Sequence, residues 1–90
     1  MTTRYVHNPN VVSTETDDEE AVLLDLDSRR YFTLNPTGAV IWERVVAGDD
    51  LSGIVSAVTD AFEIDDEAAL PYVELFLSSL EKEGLVSKAE

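Results

Sequence analysis

Carboxylates make up most of the side chains able to do chemistry. Asp17-Asp18-Glu19-Glu20 is a run of four, Asp65-Asp66-Glu67 a run of three, and Asp49-Asp50 a pair. Paired carboxylates act as general acid and base only in a pocket that moves their pKa values apart. These runs fall where loops and helix starts are expected, in water. A calcium loop needs the D-x-[DN]-x-[DN]-G spacing with a distant Glu, and that pattern does not occur. His7 is the only histidine and has no partner in sight, so it is expected to be neither ligand nor base. The absence of cysteine removes thiolate zinc sites, iron–sulfur clusters, disulfides and a cysteine nucleophile. Walker, Rossmann and nucleophile-elbow motifs are also missing. The expectation is a chain without catalytic residues, metal or cofactor.

Charge narrows the partners. Nineteen acidic residues against six basic ones give a net charge of −13. DNA and RNA bind through Lys and Arg that displace counterions, so this chain repels them, and anionic membrane surfaces likewise. The opening MTTRYVHNPN lacks the apolar run of a secretory signal, and no stretch approaches the ~20 apolar residues of a membrane span. A cytoplasmic protein is expected.

Ninety residues suit one domain. Residues 1–10 read as a flexible N-terminal arm, 11–86 as the folded domain and 87–90 as a flexible tail. Val11 to Thr16 is β-branched, Ala21 to Leu26 more apolar and central, and Arg30 to Leu34 a third strand. The short connections between them predict an antiparallel meander. The period then changes from two to 3.6. Asn35 or Thr37 can cap a first helix carrying Val40, Ile41, Trp42, Val45 and Val46, with Gly48 as its stop. Leu51, Ile54, Val55, Val58 and Phe62 form one stripe of a second helix, capped by Asp49 or Asp50. Leu70, Val73, Phe76, Leu77 and Leu80 mark a third that stops near Gly84. Pro71 removes a helix hydrogen bond and clashes with the preceding turn, so this helix is expected to begin with a separate or frayed first turn, or to kink. The fold class is α+β and winged-helix-like, a three-stranded antiparallel sheet followed by three helices.

The run Val22-Leu23-Leu24-Asp25-Leu26, then Arg30-Tyr31-Phe32-Thr33-Leu34-Asn35-Pro36-Thr37-Gly38, then Ile41-Trp42, resembles the PqqD family. The likeness extends through Phe76-Leu77-x-x-Leu80 to Gly84-Leu85-Val86 and covers roughly residues 11 to 86. The LNPTGAVIW block is its most specific part. Pro71 and the strong acidity depart from the family pattern. The resemblance implies a recognition element for ribosomally made, post-translationally modified peptides. In such domains a precursor's leader segment adds as a strand to the third strand's free edge, beside the third helix. The partners it implies are the leader peptide and a modifying enzyme: a radical-SAM maturase, a leader peptidase or a cyclase.

Strand addition needs an open edge without proline, and Arg30 to Leu34 qualifies. Tyr31 and Thr33 point one way along that strand and Phe32 and Leu34 the other, so one pair faces the core. On the third helix, Val73 and Phe76 follow the core spacing, while Tyr72 and Leu75 lie on a neighbouring face. The peptide-binding candidates are therefore Arg30, Tyr31, Phe32, Thr33 and Leu34 with Tyr72, Val73, Leu75 and Phe76. Arg29 and Arg30 are candidates to meet an acidic leader residue, although an edge arginine more often only blocks sheet aggregation. Trp42 is expected in the core. Two other functions fit the element order: a winged-helix nucleic-acid-binding regulator, and a scaffold or assembly subunit without a peptide ligand. Residues 50 to 66 contain no Lys or Arg, which argues against the first. Open edges also allow a homodimer by strand exchange.

Overall fold

The structure is a computed structural model that describes residues 3–89. In chain order its elements are β1 (Arg4–His7), β2 (Val11–Glu15), β3 (Ala21–Asp25), β4 (Arg30–Leu34), α1 (Pro36–Val46), α2 (Leu51–Phe62), α3 (Asp66–Lys82) and β5 (Val86–Ala89). The meander β2-β3-β4 is antiparallel throughout, and the fold is α+β as expected. Leu23 sits between Ser13 and Phe32 in the register, and Leu24 between Val12 and Tyr31. That register decides the faces. Val11, Ala21, Leu23 and Leu34 are buried on the inner side, where the helices cover them.

Local chemistry sets the helix ends. Asn35 caps α1 by accepting the Gly38 N–H on its Oδ1 at 2.8 Å, with Pro36 following at the first position, where its missing N–H costs nothing. Asp50 caps α2 in the same way through Gly53 at 2.9 Å. The apolar stripes of the three helices meet the sheet in one core, with Ile41, Ile54, Val58, Val73 and Leu77 fully buried. Trp42 lies in that core as its spacing predicts.

The chain's two ends differ from the expected arm and tail. β1 pairs antiparallel with β5, from Arg4 opposite Ala89 to His7 opposite Val86. Gly84, at φ +75°, reverses the chain after α3; Leu85 N–H then donates to Leu80 C=O and Asn8 N–H to Leu85 C=O. Tyr5 is buried, and burial first, then the carboxylates of Glu81 and Glu74, push its phenol pKa up. His7 is half-buried, its ring edge-on to Trp42 at 5.9 Å. A strand of four residues shows no period by itself, and neither segment becomes a strand without the other. Met1, Thr2 and Glu90, the outer parts of the expected arm and tail, lie outside the described residues.

At Pro71 the separate first turn does not form. α3 runs unbroken from Asp66, with Pro71 at its sixth position. The carbonyl that loses its partner is that of Glu67, and both residues stand exposed, so water replaces the missing bond. No helix among the described residues is long and apolar enough to cross a membrane.

Candidate functional site: the β4 edge and the helix beside it

Hydrogen bonds around β3 fix which backbone groups of β4 are free. Thr16 N–H donates to Glu20 C=O and Leu26 N–H to Asn10 C=O, each at 2.9 Å. Residues opposite one another in an antiparallel pair alternate between bonded and non-bonded pairs. Val22 and Leu24 therefore bond towards β2, and Ala21, Leu23 and Asp25 towards β4. Their opposite numbers Leu34, Phe32 and Arg30 are held inside the sheet. Tyr31 and Thr33 turn their N–H and C=O groups to the open side. In the described residues β4 has a single strand neighbour, because β1 closes on β5 instead.

Side chains alternate on the same period. Phe32 points inward and is half-buried; Leu34 points inward and is buried. Tyr31 is 72% exposed on the outer face, with Thr33 beside it. The tyrosine and threonine thus bring backbone groups to the edge, while Phe32 brings its ring to the space under it.

Across that space stands α3. Its contacts run chiefly to α2 and β5, and the strip between it and β4 is the candidate groove. Tyr72 and Phe76, one turn apart, stack with ring centroids 6.3 Å apart and planes inclined by 11°. Phe76 rests on the first turn of α1 at Gly38, where a Cβ would lie 2.6 Å from the ring. Glycine at 38 is what lets the Phe76 ring approach α1 this closely. Beyond Tyr72 the floor opens into a cavity of about 220 Å³ lined by Thr37, Phe62, Ile64 and Tyr72. At the other end Arg30 donates to Glu83 at 3.0 Å, and its guanidinium lies 5.1 Å from the Phe32 ring centroid. This pair joins the start of β4 to the end of α3.

Besides Tyr31 and Thr33, three of the peptide-binding candidates do not present their side chains between β4 and α3. Val73 is fully buried and belongs to the core, because its position on α3 faces α2 and the sheet. Leu34 gives its side chain to the core as well. Leu75 is 71% exposed, on the solvent side of the Tyr72–Phe76 stripe, and forms a lip. Arg30 pairs with Phe32 on β4 and Tyr72 stacks with Phe76 on α3, so the four stand on the two elements that flank the candidate groove. Glu83, Gly38, Phe62 and Ile64 were not anticipated. Gly38 stands in the LNPTGAVIW block and carried a signal; the Arg30–Glu83 pair joins residues too far apart in sequence to carry one. Asp17, Asp18, Asp65, Asp66 and Glu67 are exposed, and no group of three or more His, Cys, Asp or Glu among the described residues could hold a metal ion.

Comparison with known proteins agrees with this geometry. TbiB1 in complex with the TbiA(beta) leader peptide superposes with a TM-score of 0.84, at 30% identity over 91% of this chain and 94% of that one. Lasso peptide synthetase B1 complexed with the leader peptide gives 0.81, at 26% identity over 93% and 98%. A search of curated proteins finds no match. The coenzyme PQQ synthesis protein D family matches residues 20–86, which span β3 and β4, the three helices and the first residue of β5. The chain belongs to the PqqD family.

Proposed function

We propose that this chain binds the leader segment of a precursor peptide as a fourth strand along β4 and delivers it to a modifying enzyme, with no catalytic step of its own. The observation that carries the reading is the open edge of β4, where Tyr31 and Thr33 turn their backbone groups outward, with half-buried Phe32 on the inner side and the Tyr72–Phe76 stack on α3. The leader-peptide complexes of two close structural neighbours support it. The enzyme it serves is a radical-SAM maturase, leader peptidase or cyclase, and a cytoplasmic setting is in keeping with a sequence free of cysteine.

Magnitudes decide how the work is divided. Tyr31 and Thr33 offer two N–H and two C=O groups. At ~1 kcal/mol net for each bond they total ~4 kcal/mol, which at most offsets the lower end of the ~4–15 kcal/mol that association costs and leaves no surplus. Backbone pairing therefore sets register, and burial supplies affinity at ~25 cal/mol per Å². The anchors lodge against Phe32 and Phe76 and in the cavity beside Tyr72. A second copy taking the same edge is the competing occupant, and two chains of −13 repel each other there.

The test is a fluorescence-anisotropy titration of the purified protein with a labelled leader peptide. Phe32→Ala weakens binding by roughly tenfold, the loss of about 1.4 kcal/mol of half-buried ring contact, while the fold survives. Leader affinity unaffected by Phe32→Ala, Phe76→Ala and Thr33→Pro alike contradicts the proposal.

A further inference from the structure

The opposite face of the sheet lies away from the groove, carries no charge and is apolar at Val12, Val22 and Leu24. Val12, Thr14, Val22, Leu24, Tyr31 and Thr33 make up its two cross-strand rows. None of them is charged, in a chain where 28% of residues are. Val12 is 48% exposed, Tyr31 more so, and no helix covers this side, since α1, α2 and α3 lie on the other. An antiparallel sheet with one free face normally makes that face polar. We infer that this face docks the peptide-modifying enzyme, through an enzyme surface with an apolar centre and a Lys- and Arg-rich border, and that bound leader enlarges the contact.

Three observations select that occupant over a second copy. Five residues on each of three strands span a footprint on the order of 230 Å², well below the ~800 Å² per partner of a stable interface. Two such faces stacked on each other therefore fall short, and the partner must reach past the rim. That rim is acidic at the β2–β3 turn, where Asp17, Asp18, Glu19 and Glu20 follow one another; at the far turn Asp27 and Arg29 offset each other. A copy carrying the same acids is repelled, whereas a basic border is attracted. Finally, the face is continuous with the β4 edge. Guest residues opposite Tyr31 and Thr33 share their side of the sheet, so an added strand widens the patch and the enzyme meets protein and substrate together. This last step rests on the strand-addition reading.

The experiment measures binding of the tagged modifying enzyme encoded with this chain, with and without saturating leader peptide. The full-length protein is compared with Val12→Glu and Leu24→Glu. Both positions are remote from the groove side, and the thermal midpoint of each variant monitors folding. Wild type is expected to bind the enzyme at least several-fold more tightly with leader present. Each variant is expected to lose tenfold or more in enzyme affinity and to keep leader affinity within about twofold. Enzyme affinity unchanged in both variants overturns the docking face, as does absence of enzyme binding to wild type. A concentration-dependent dimer in sedimentation that Val12→Glu dissolves overturns it in favour of self-association. Failure of wild type to bind leader contradicts strand addition instead, and enzyme affinity in the absence of peptide still decides the face.

Discussion

The three-stranded sheet has two edges, and they are built differently. At β2 the outward N–H of Val11 is already bonded to Asn8 C=O at 3.0 Å. The cleft that adjoins Glu15, about 290 Å³, is lined by Glu15, Glu19 and Glu43 as well as by Pro36, Ala39, Val40 and Phe62. A strand laid there meets three carboxylates. At β4 the two outward positions have no strand partner among the described residues, and the nearest charged pair, Arg30 with Glu83, is neutral as a unit. An edge invites a guest only where desolvating its surroundings is favourable. The carboxylates at the Glu15 end of β2 disfavour a guest there, which is in keeping with the proposed strand addition at β4.

Matched substitutions break or sharpen that contrast. The largest effect is expected from proline. Thr33→Pro removes an outward N–H and leaves the internal ladder whole, the one strand setting in which proline is tolerated. Leader affinity falls ~30-fold or more by titration, through the lost bond and the ring's clash with a guest backbone. Ser13→Pro makes the same change on β2 and leaves leader affinity within about twofold. Next comes the floor. Gly38→Ala drives a methyl into Phe76 and tilts the ring into the groove; leader affinity drops several-fold and the thermal midpoint by a few degrees, since overpacking costs ~1–3 kcal/mol. Arg30→Ala has a smaller effect, a change of about twofold to threefold that fades as salt is raised. Its side chain is 61% exposed, and such pairs contribute little.

The smallest effect concerns the strand pair at the chain ends. The raised pKa of Tyr5 means that the folded state favours the neutral phenol. Its contribution to stability is complete below the ordinary value of 10.0 and is lost as pH rises from there through the folded value. In thermal melts between about pH 9 and pH 11, the wild type should lose more stability than Tyr5→Phe.

How far these features were legible follows from their range along the chain. β2, β3 and β4 announce themselves through β-branched and apolar runs between turn residues, and α1 and α2 through period 3.6 with Asn35 and Asp50 as caps. The β1–β5 pair joins opposite ends of the chain through strands too short for periodicity. Pro71 signals a break that α3 does not make, because the affected carbonyl faces water. In the groove, alternation alone left open whether Phe32 or Tyr31 faces inward. The register opposite Leu23 and Leu24 decides it. Val73 and Phe76 share a spacing pattern, and only the packing of α3 on α2 separates the buried one from the groove floor.

Amide hydrogen exchange, resolved by residue on the free and peptide-saturated protein, tests strand addition at β4 most directly. Tyr31 and Thr33 are expected to exchange rapidly in the free protein and to become strongly protected with leader bound, while Arg30, Phe32 and Leu34 are slow in both states. Protection that appears on β2 or α3 and leaves Tyr31 and Thr33 exchanging as before would contradict it.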